Sequence, residues 1–150
     1  MSRLQQLIDN ASKEKSLMEK AYGDFPVEIA SECGKSEVKE IIERLDALSS
    51  EKTEVEEWDG DTQDDIWRAQ SGFSELLENI LPNYASDICK GLESKYTDTR
   101  FYICYALSNS PSAEAVDPLS EYMKSEMSEE HRDIVLSALK ACKKKIGILK

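Results

Sequence analysis

The sequence predicts an all-α fold: antiparallel helical hairpins, about seven or eight helices in all, stacked in one domain over residues 1–150. Three observations lead there. The stretch Thr97–Leu107, TDTRFYICYAL, returns in part after 32 residues as Glu129–Leu139, EEHRDIVLSAL; Arg100 matches Arg132, Ile103 matches Val135, Cys104 matches Leu136, Ala106 matches Ala138 and Leu107 matches Leu139. A fixed period of this length marks helical units that bury their apolar faces only by stacking on a neighbour. Elsewhere apolar residues recur at helical intervals of three, four and seven, and no segment shows the strict alternation of a strand.

Taken in order, Leu4, Leu7, Ile8, Ala11, Leu17 and Met18 predict a first helix over 2–21, interrupted by Gly23 and Pro26. A short second helix over 27–33 stops at Gly34, a residue that accepts the backbone found after helix ends. Ser36 is expected to cap a third helix carrying the stripe Val38, Ile41, Ile42, Leu45 and Leu48. Residues 49–65, with eight acids and one lysine, read as an exposed connection. The next helix starts near Thr62 and is expected to bury Ile66, Trp67, Phe73, Leu76, Leu77, Ile80 and Leu81; Pro82 ends it. A helix over 83–94 places Tyr84, Ile88 and Leu92 on one side. Thr97 or Asp98 caps the repeated helix, which runs to about Ser108, and the NSPS turn follows. Pro118 suits a first helical position behind Asp117, so a turn of helix over 112–116 resets there. Ser128 caps a last helix to Lys145, with Glu129 and Glu130 at its positive end and Lys143–Lys145 at its negative end.

Composition narrows the function classes. The net charge is −11, and residues 1–139 hold fourteen bases against all thirty acids, a balance of −16. Such repulsion disfavours nucleic acid and anionic membrane surfaces as partners and favours a basic protein. Cys33, Cys89, Cys104 and Cys142 form no C-x-x-C pair or histidine-containing ligand pattern, so they are expected as buried reduced thiols. No signal peptide or membrane span is recognised, and a cytoplasmic location is expected.

The order acid, x, Arg, apolar positions, Ala-Leu, turn, Glu-Ala-Val-x-Pro-Leu and a second Arg helix resembles HEAT-like repeats of the short bacterial type. Asp98, Arg100, Ala106, Leu107, Glu114, Ala115, Val116, Pro118, Leu119, Arg132, Ala138 and Leu139 carry the resemblance, over about 96–143. It implies a short HEAT-like α-solenoid, with residues 96–145 as a hairpin plus closing helix. Residues 1–95 would be divergent hairpins, because Gln70, Gly72 and Glu75 fall where the period from Arg68 calls for apolar residues.

No catalytic signature is present, so no enzyme, cofactor, metal or small-molecule substrate is expected. His131 is the one histidine and is expected on the surface beside Glu129 and Glu130. The run Asp59–Asp65 fails as a calcium loop, since its sixth place is Asp64 and its twelfth is Gln70. What remains is an acidic centre. Residues 37–65 contain twelve acids and three bases, and Trp58 lies among carboxylates, the anchor-and-charge composition of a protein interface. Glu54, Glu56, Glu57, Trp58, Asp59, Asp61, Asp64 and Asp65 are the expected contact residues. In size, charge and architecture the chain is similar to bacterial immunity proteins, which implies stoichiometric blocking of a basic, nuclease-type toxin. The alternative is a HEAT-like scaffold or regulatory adaptor that binds a peptide or subunit through exposed Tyr102, Tyr105 and Tyr122.

Overall fold

The structure, a computed structural model, describes residues 2–11, 27–54 and 59–147. Among them are seven α-helices and no strand: α1 (Arg3–Ala11), α2 (Lys35–Glu54), α3 (Gly60–Ile80), α4 (Ala85–Cys89), α5 (Thr97–Asn109), α6 (Val116–Tyr122) and α7 (Glu129–Lys145). Three 3-10 segments, Val27–Glu32, Lys90–Glu93 and Ala113–Ala115, complete the described elements. The remainder of the expected first helix, beyond Ala11, lies outside the described residues.

The repeated stretch 97–107 becomes the central helix. α5 packs on α2, α3 and α7 and on the 3-10 segment before it. Accordingly it is buried on several sides, through Thr99, Tyr102, Ile103, Cys104, Ala106 and Leu107. Contacts along α3 and α5 advance together: Gln70 meets Asp98, the Ser74 hydroxyl donates to the Tyr102 carbonyl at 3.0 Å, and the Asn109 amide donates to Glu78 at 2.7 Å. The next pair behaves alike, with Phe101 beside His131 and Ser108 beside Ser137. Hence α3 and α5 run parallel, and so do α5 and α7. Close approach is required where the 3-10 segment Lys90–Glu93 meets α5: a Cβ on Gly91 would lie 2.9 Å from the Ile103 side chain.

The matched arginines act as clips. Arg100 donates from Nη1 to the Ser94 carbonyl at 2.6 Å, and Arg132 donates to the Met123 and Ser125 carbonyls at 3.1 and 3.2 Å. Each therefore fastens its helix to the turn that leads into it, satisfying carbonyls outside regular structure. Asp46 of α2 adds a second tie, accepting from Ser94 and Thr99 at 2.6 and 2.7 Å.

Several boundaries differ from expectation, each for a local reason. Ser36 is inside α2 and does not cap it; the helix begins after Gly34, whose N–H donates to the Glu37 carboxylate at 3.1 Å. That carboxylate also accepts from Ser36 and Arg3 and is 4% exposed; the Arg3 guanidinium, chiefly, holds its pKa down at about 2. The expected exposed connection 49–65 is mostly helix, because α2 continues to Glu54 and Asp59 starts α3 at Gly60. Thr97 is the first residue of α5, and neither it nor Asp98 serves as a side-chain cap. Over 83–94 the helix divides into α4 and a 3-10 segment, and Tyr84, at φ 58°, is exposed and not grouped with buried Ile88 and Leu92. Ser128 does cap α7, accepting from the His131 N–H at 3.2 Å, and the opposite charges stand at the helix ends as expected.

Among the described residues one buried side chain keeps an unpaired polar atom. Gln70, at a position where the repeat calls for an apolar side chain, is fully buried; its amide nitrogen lies 3.5 Å from Ser49 and 3.4 Å from Asp98, and its carbonyl has no hydrogen-bond partner. The four cysteines are free and buried as expected, and burial pushes the Cys89 and Cys104 thiols up to about 12. These thiols are protonated and behave as apolar volume.

Candidate functional site: the exposed face of α3 and its groove with α5

The expected acidic contact residues divide. Glu56, Glu57 and Trp58 lie outside the described residues, as does the side chain of Glu54. Asp59 serves its own helix, since its carboxylate accepts from the Thr62 N–H at 3.3 Å and the Thr62 hydroxyl at 2.8 Å and so closes the start of α3. Asp61 and Asp64 are exposed on the first turns of that helix, and Asp65 is half-buried. Carboxylates at a helix N-terminus are favoured by the unpaired N–H groups there, so they need no cation of their own.

Continuing from Asp61 and Asp64 at intervals of three and four come Trp67, Ser71, Glu75 and Glu78. This places a tryptophan and four carboxylates on one side of α3. Trp67, expected in the core, is instead 54% exposed, while Ile66 and Gln70, on the neighbouring face, turn inward. Helical spacing alone fits Trp67 to either face, since it adjoins the apolar stripe.

The parallel helix α5 supplies the opposite wall. Phe101, Tyr105 and Asn109 follow one another at intervals of four, and together with Trp67, Glu75 and Glu78 they line a groove of about 450 Å³. Tyr105 is 45% exposed, and its ring stacks on Phe101 with centroids 6.4 Å apart and planes inclined by 23°. Tyr102 lines the floor edge-on to Phe101 and is buried, which corrects its expected role as an exposed anchor. Burial raises the Tyr102 pKa, against the hydrogen bond with Ser71. Glu78 is also held above the usual carboxylate range, first by burial and then by the charge of Glu75, while the Asn109 amide works the other way. Among the described residues no lysine or arginine forms an ion pair with Glu75 or Glu78.

On the other side of α5 the second aromatic cluster is closed. His131, expected on the surface, is 4% exposed, and its Nε2 lies 2.5 Å from the Tyr122 hydroxyl, to which Arg100 Nε donates at 3.0 Å. Tyr122 is therefore buried as well, and not an exposed anchor. Burial, reinforced by Arg100, lowers the His131 pKa, so we assign a neutral ring whose Nε2 accepts the Tyr122 proton. Among the described residues no thiol is hydrogen-bonded to His131, and the cluster ties α5, α6 and α7 together.

A larger groove, about 790 Å³, lies elsewhere, between α2 and α4. Lys35 and Lys90 share one carboxylate, Asp87, at 3.8 and 3.2 Å, and Lys39 and Glu43 also line it, so its charges are mixed and it lacks the aromatic faces of the α3–α5 groove. Among the described residues no three His, Cys, Asp or Glu side chains are placed to hold a metal ion, and no helix is long and apolar enough to cross a membrane. Comparison with protein-family models, curated proteins and solved structures finds no match for the chain, which leaves the residues themselves to carry any functional reading.

Proposed function

We propose that the chain is a non-enzymatic protein-binding module, an immunity protein of the cytoplasm that blocks a basic, nuclease-type toxin through its acidic side. The parallel helices would be a short HEAT-like stack holding that side rigid. One observation carries the reading: Asp61, Asp64, Glu75 and Glu78 share a face of α3 with a tryptophan that is 54% exposed. An exposed aromatic among carboxylates matches the composition of a surface that meets cations. A nuclease presents a basic groove to phosphates, and a net charge of −16 over residues 1–139 raises the encounter rate with it by long-range attraction. The acids at 54–57 and Trp58 would extend the same field.

The adaptor reading keeps one observation in its favour, the exposed Tyr105 on α5. Because α3 and α5 are neighbours, the two readings share a groove and differ in partner, not in place. The test begins with the product of the neighbouring gene. Under the immunity reading that product arrests growth, co-expression of this chain restores it, and the D61N/D64N/E56Q/E57Q variant associates about tenfold more slowly at low salt, with the gap closing as salt rises. An association rate indifferent to both salt and the four substitutions sinks the acidic-face model.

A further inference from the structure

We infer that the groove between α3 and α5 receives the guanidinium of an arginine presented by the partner, a commitment that rests on the basic-partner reading above. Two stripes at helical spacing build the groove. Trp67 on α3 and the stacked pair Phe101 and Tyr105 on α5 supply its aromatic surface. Glu75 and Glu78, three residues apart on α3, supply its carboxylates, with Asn109 fixing Glu78 from α5 at 2.7 Å; the pairs Ser74–Tyr102 and Glu78–Asn109 set Tyr105 at the level of these two acids. A guanidinium uses both, because it is a planar cation that stacks on aromatic faces and directs a fork of N–H donors at carboxylates.

Charge complementarity selects this occupant. A neutral apolar segment would cover Glu75 and Glu78 without neutralising either, and an acidic one would be repelled. An ammonium would satisfy a carboxylate yet has no plane to lay on Trp67 or Tyr105. Partial burial of Glu78 beside Glu75 leaves a cost that an incoming cation removes. The fold already sets cations over aromatic rings, Arg100 at 5.8 Å from the Tyr122 centroid, Arg44 at 6.0 Å from Phe73 and Lys95 at 5.1 Å from Tyr96, so it is the paired carboxylates, which match a fork of donors, that favour a guanidinium here.

The probe is N-acetyl-arginine amide, titrated into the full-length protein while the Trp67 indole N–H, assigned with Trp67→Phe, and the Tyr105 ring signals are followed by NMR. Matched lysine and citrulline derivatives are run beside it; citrulline keeps the shape of arginine without its charge. Saturable shifts at Trp67 and Tyr105 are expected with arginine, about fivefold weaker binding with lysine, no saturation with citrulline, and loss of the arginine response in E75Q/E78Q. Citrulline matching arginine in the wild-type protein overturns the inference without recourse to any variant. So does an arginine response spread evenly over the acidic surface, or one that survives in a folded E75Q/E78Q protein. The two readings fail separately. An arginine response that persists in D61N/D64N, with a toxin rate indifferent to the four-residue neutralisation, removes the immunity reading alone; a toxin rate that falls as expected, with no arginine response, removes the arginine site alone.

Discussion

Two aromatic clusters flank α5, built from similar residues and put to opposite uses. On one side Arg100, Tyr122 and His131 form a hydrogen-bonded chain, with Phe101 against the imidazole at 6.0 Å between ring centroids. On the other side the same Phe101 stacks on Tyr105, across from Trp67, and there the carboxylates Glu75 and Glu78 form no ion pair among the described residues. The first cluster supplies its own guanidinium and is closed. The second has aromatic faces and carboxylates but lacks the guanidinium, and it is open to solvent. The difference teaches that residue type alone does not decide whether an aromatic cluster is closed; the proposed partner would supply to the second cluster the cation that Arg100 supplies to the first.

If that contrast is right, truncation should separate the two sides sharply. Arg100→Ala removes the clip to Ser94 and leaves the buried Tyr122 oxygen without its donor, so unfolding in urea should show a loss of about 2–3 kcal/mol. Tyr122→Phe should lose about half as much, by removing only the hydroxyl. If neither variant moves the midpoint, the closed cluster is not a structural tie.

An intermediate effect concerns pH. The folded pKa of His131 lies below its ordinary 6.5, so the unfolded chain takes up the proton first as pH falls. The stability contributed by the neutral ring is thus complete above about 6.5 and declines below it, by at most about 1.4 kcal/mol per pH unit until the folded group protonates. His131→Phe should flatten this part of the stability profile relative to wild type. An unchanged slope between pH 6.5 and 5 would show that the histidine is not held neutral.

The smallest effects on stability are expected in the open groove. Trp67→Ala and E75Q/E78Q should stay within about 0.5 kcal/mol of wild type, because surface substitutions away from structural ties rarely do more. Glu78→Gln alone should be neutral or slightly stabilising, since burial and Glu75 already disfavour its ionised form. A loss above about 2 kcal/mol in thermal unfolding would mean that Trp67 belongs to the core after all.

Much of the helical framework was legible in the sequence, and the limits were specific. Ser128 and the charges of α7 act within one helix, so their roles follow from adjacency. The 32-residue match between Arg100 and Arg132 reflects a repeated local role, the tie to a preceding turn. His131 misled because its sequence neighbours Glu129 and Glu130 are exposed while its ring crosses to Tyr122. Gln70 reads as a break in the repeat, yet it occupies the buried position the repeat assigns, with an unsatisfied carbonyl in place of an apolar group. Of the candidate site, Asp61 and Asp64 and, for the adaptor alternative, Tyr105 were legible in the sequence; Trp67, Glu75 and Glu78 were not. Trp67 borders the apolar stripe of α3, and a single helix cannot say which of its edges a neighbour will cover.

The sequence by itself determined that the chain is helical, where most helices begin and end, and which residues carry its excess negative charge, because propensity, capping and charge act over one or two turns. Only the tertiary structure decided which of two adjoining faces each helix buries. By setting α5 against α7 it closed the cluster around His131, and by setting α5 beside and parallel to α3 it brought Trp67, Glu75, Glu78 and Tyr105, which two separate helices carry, onto one groove.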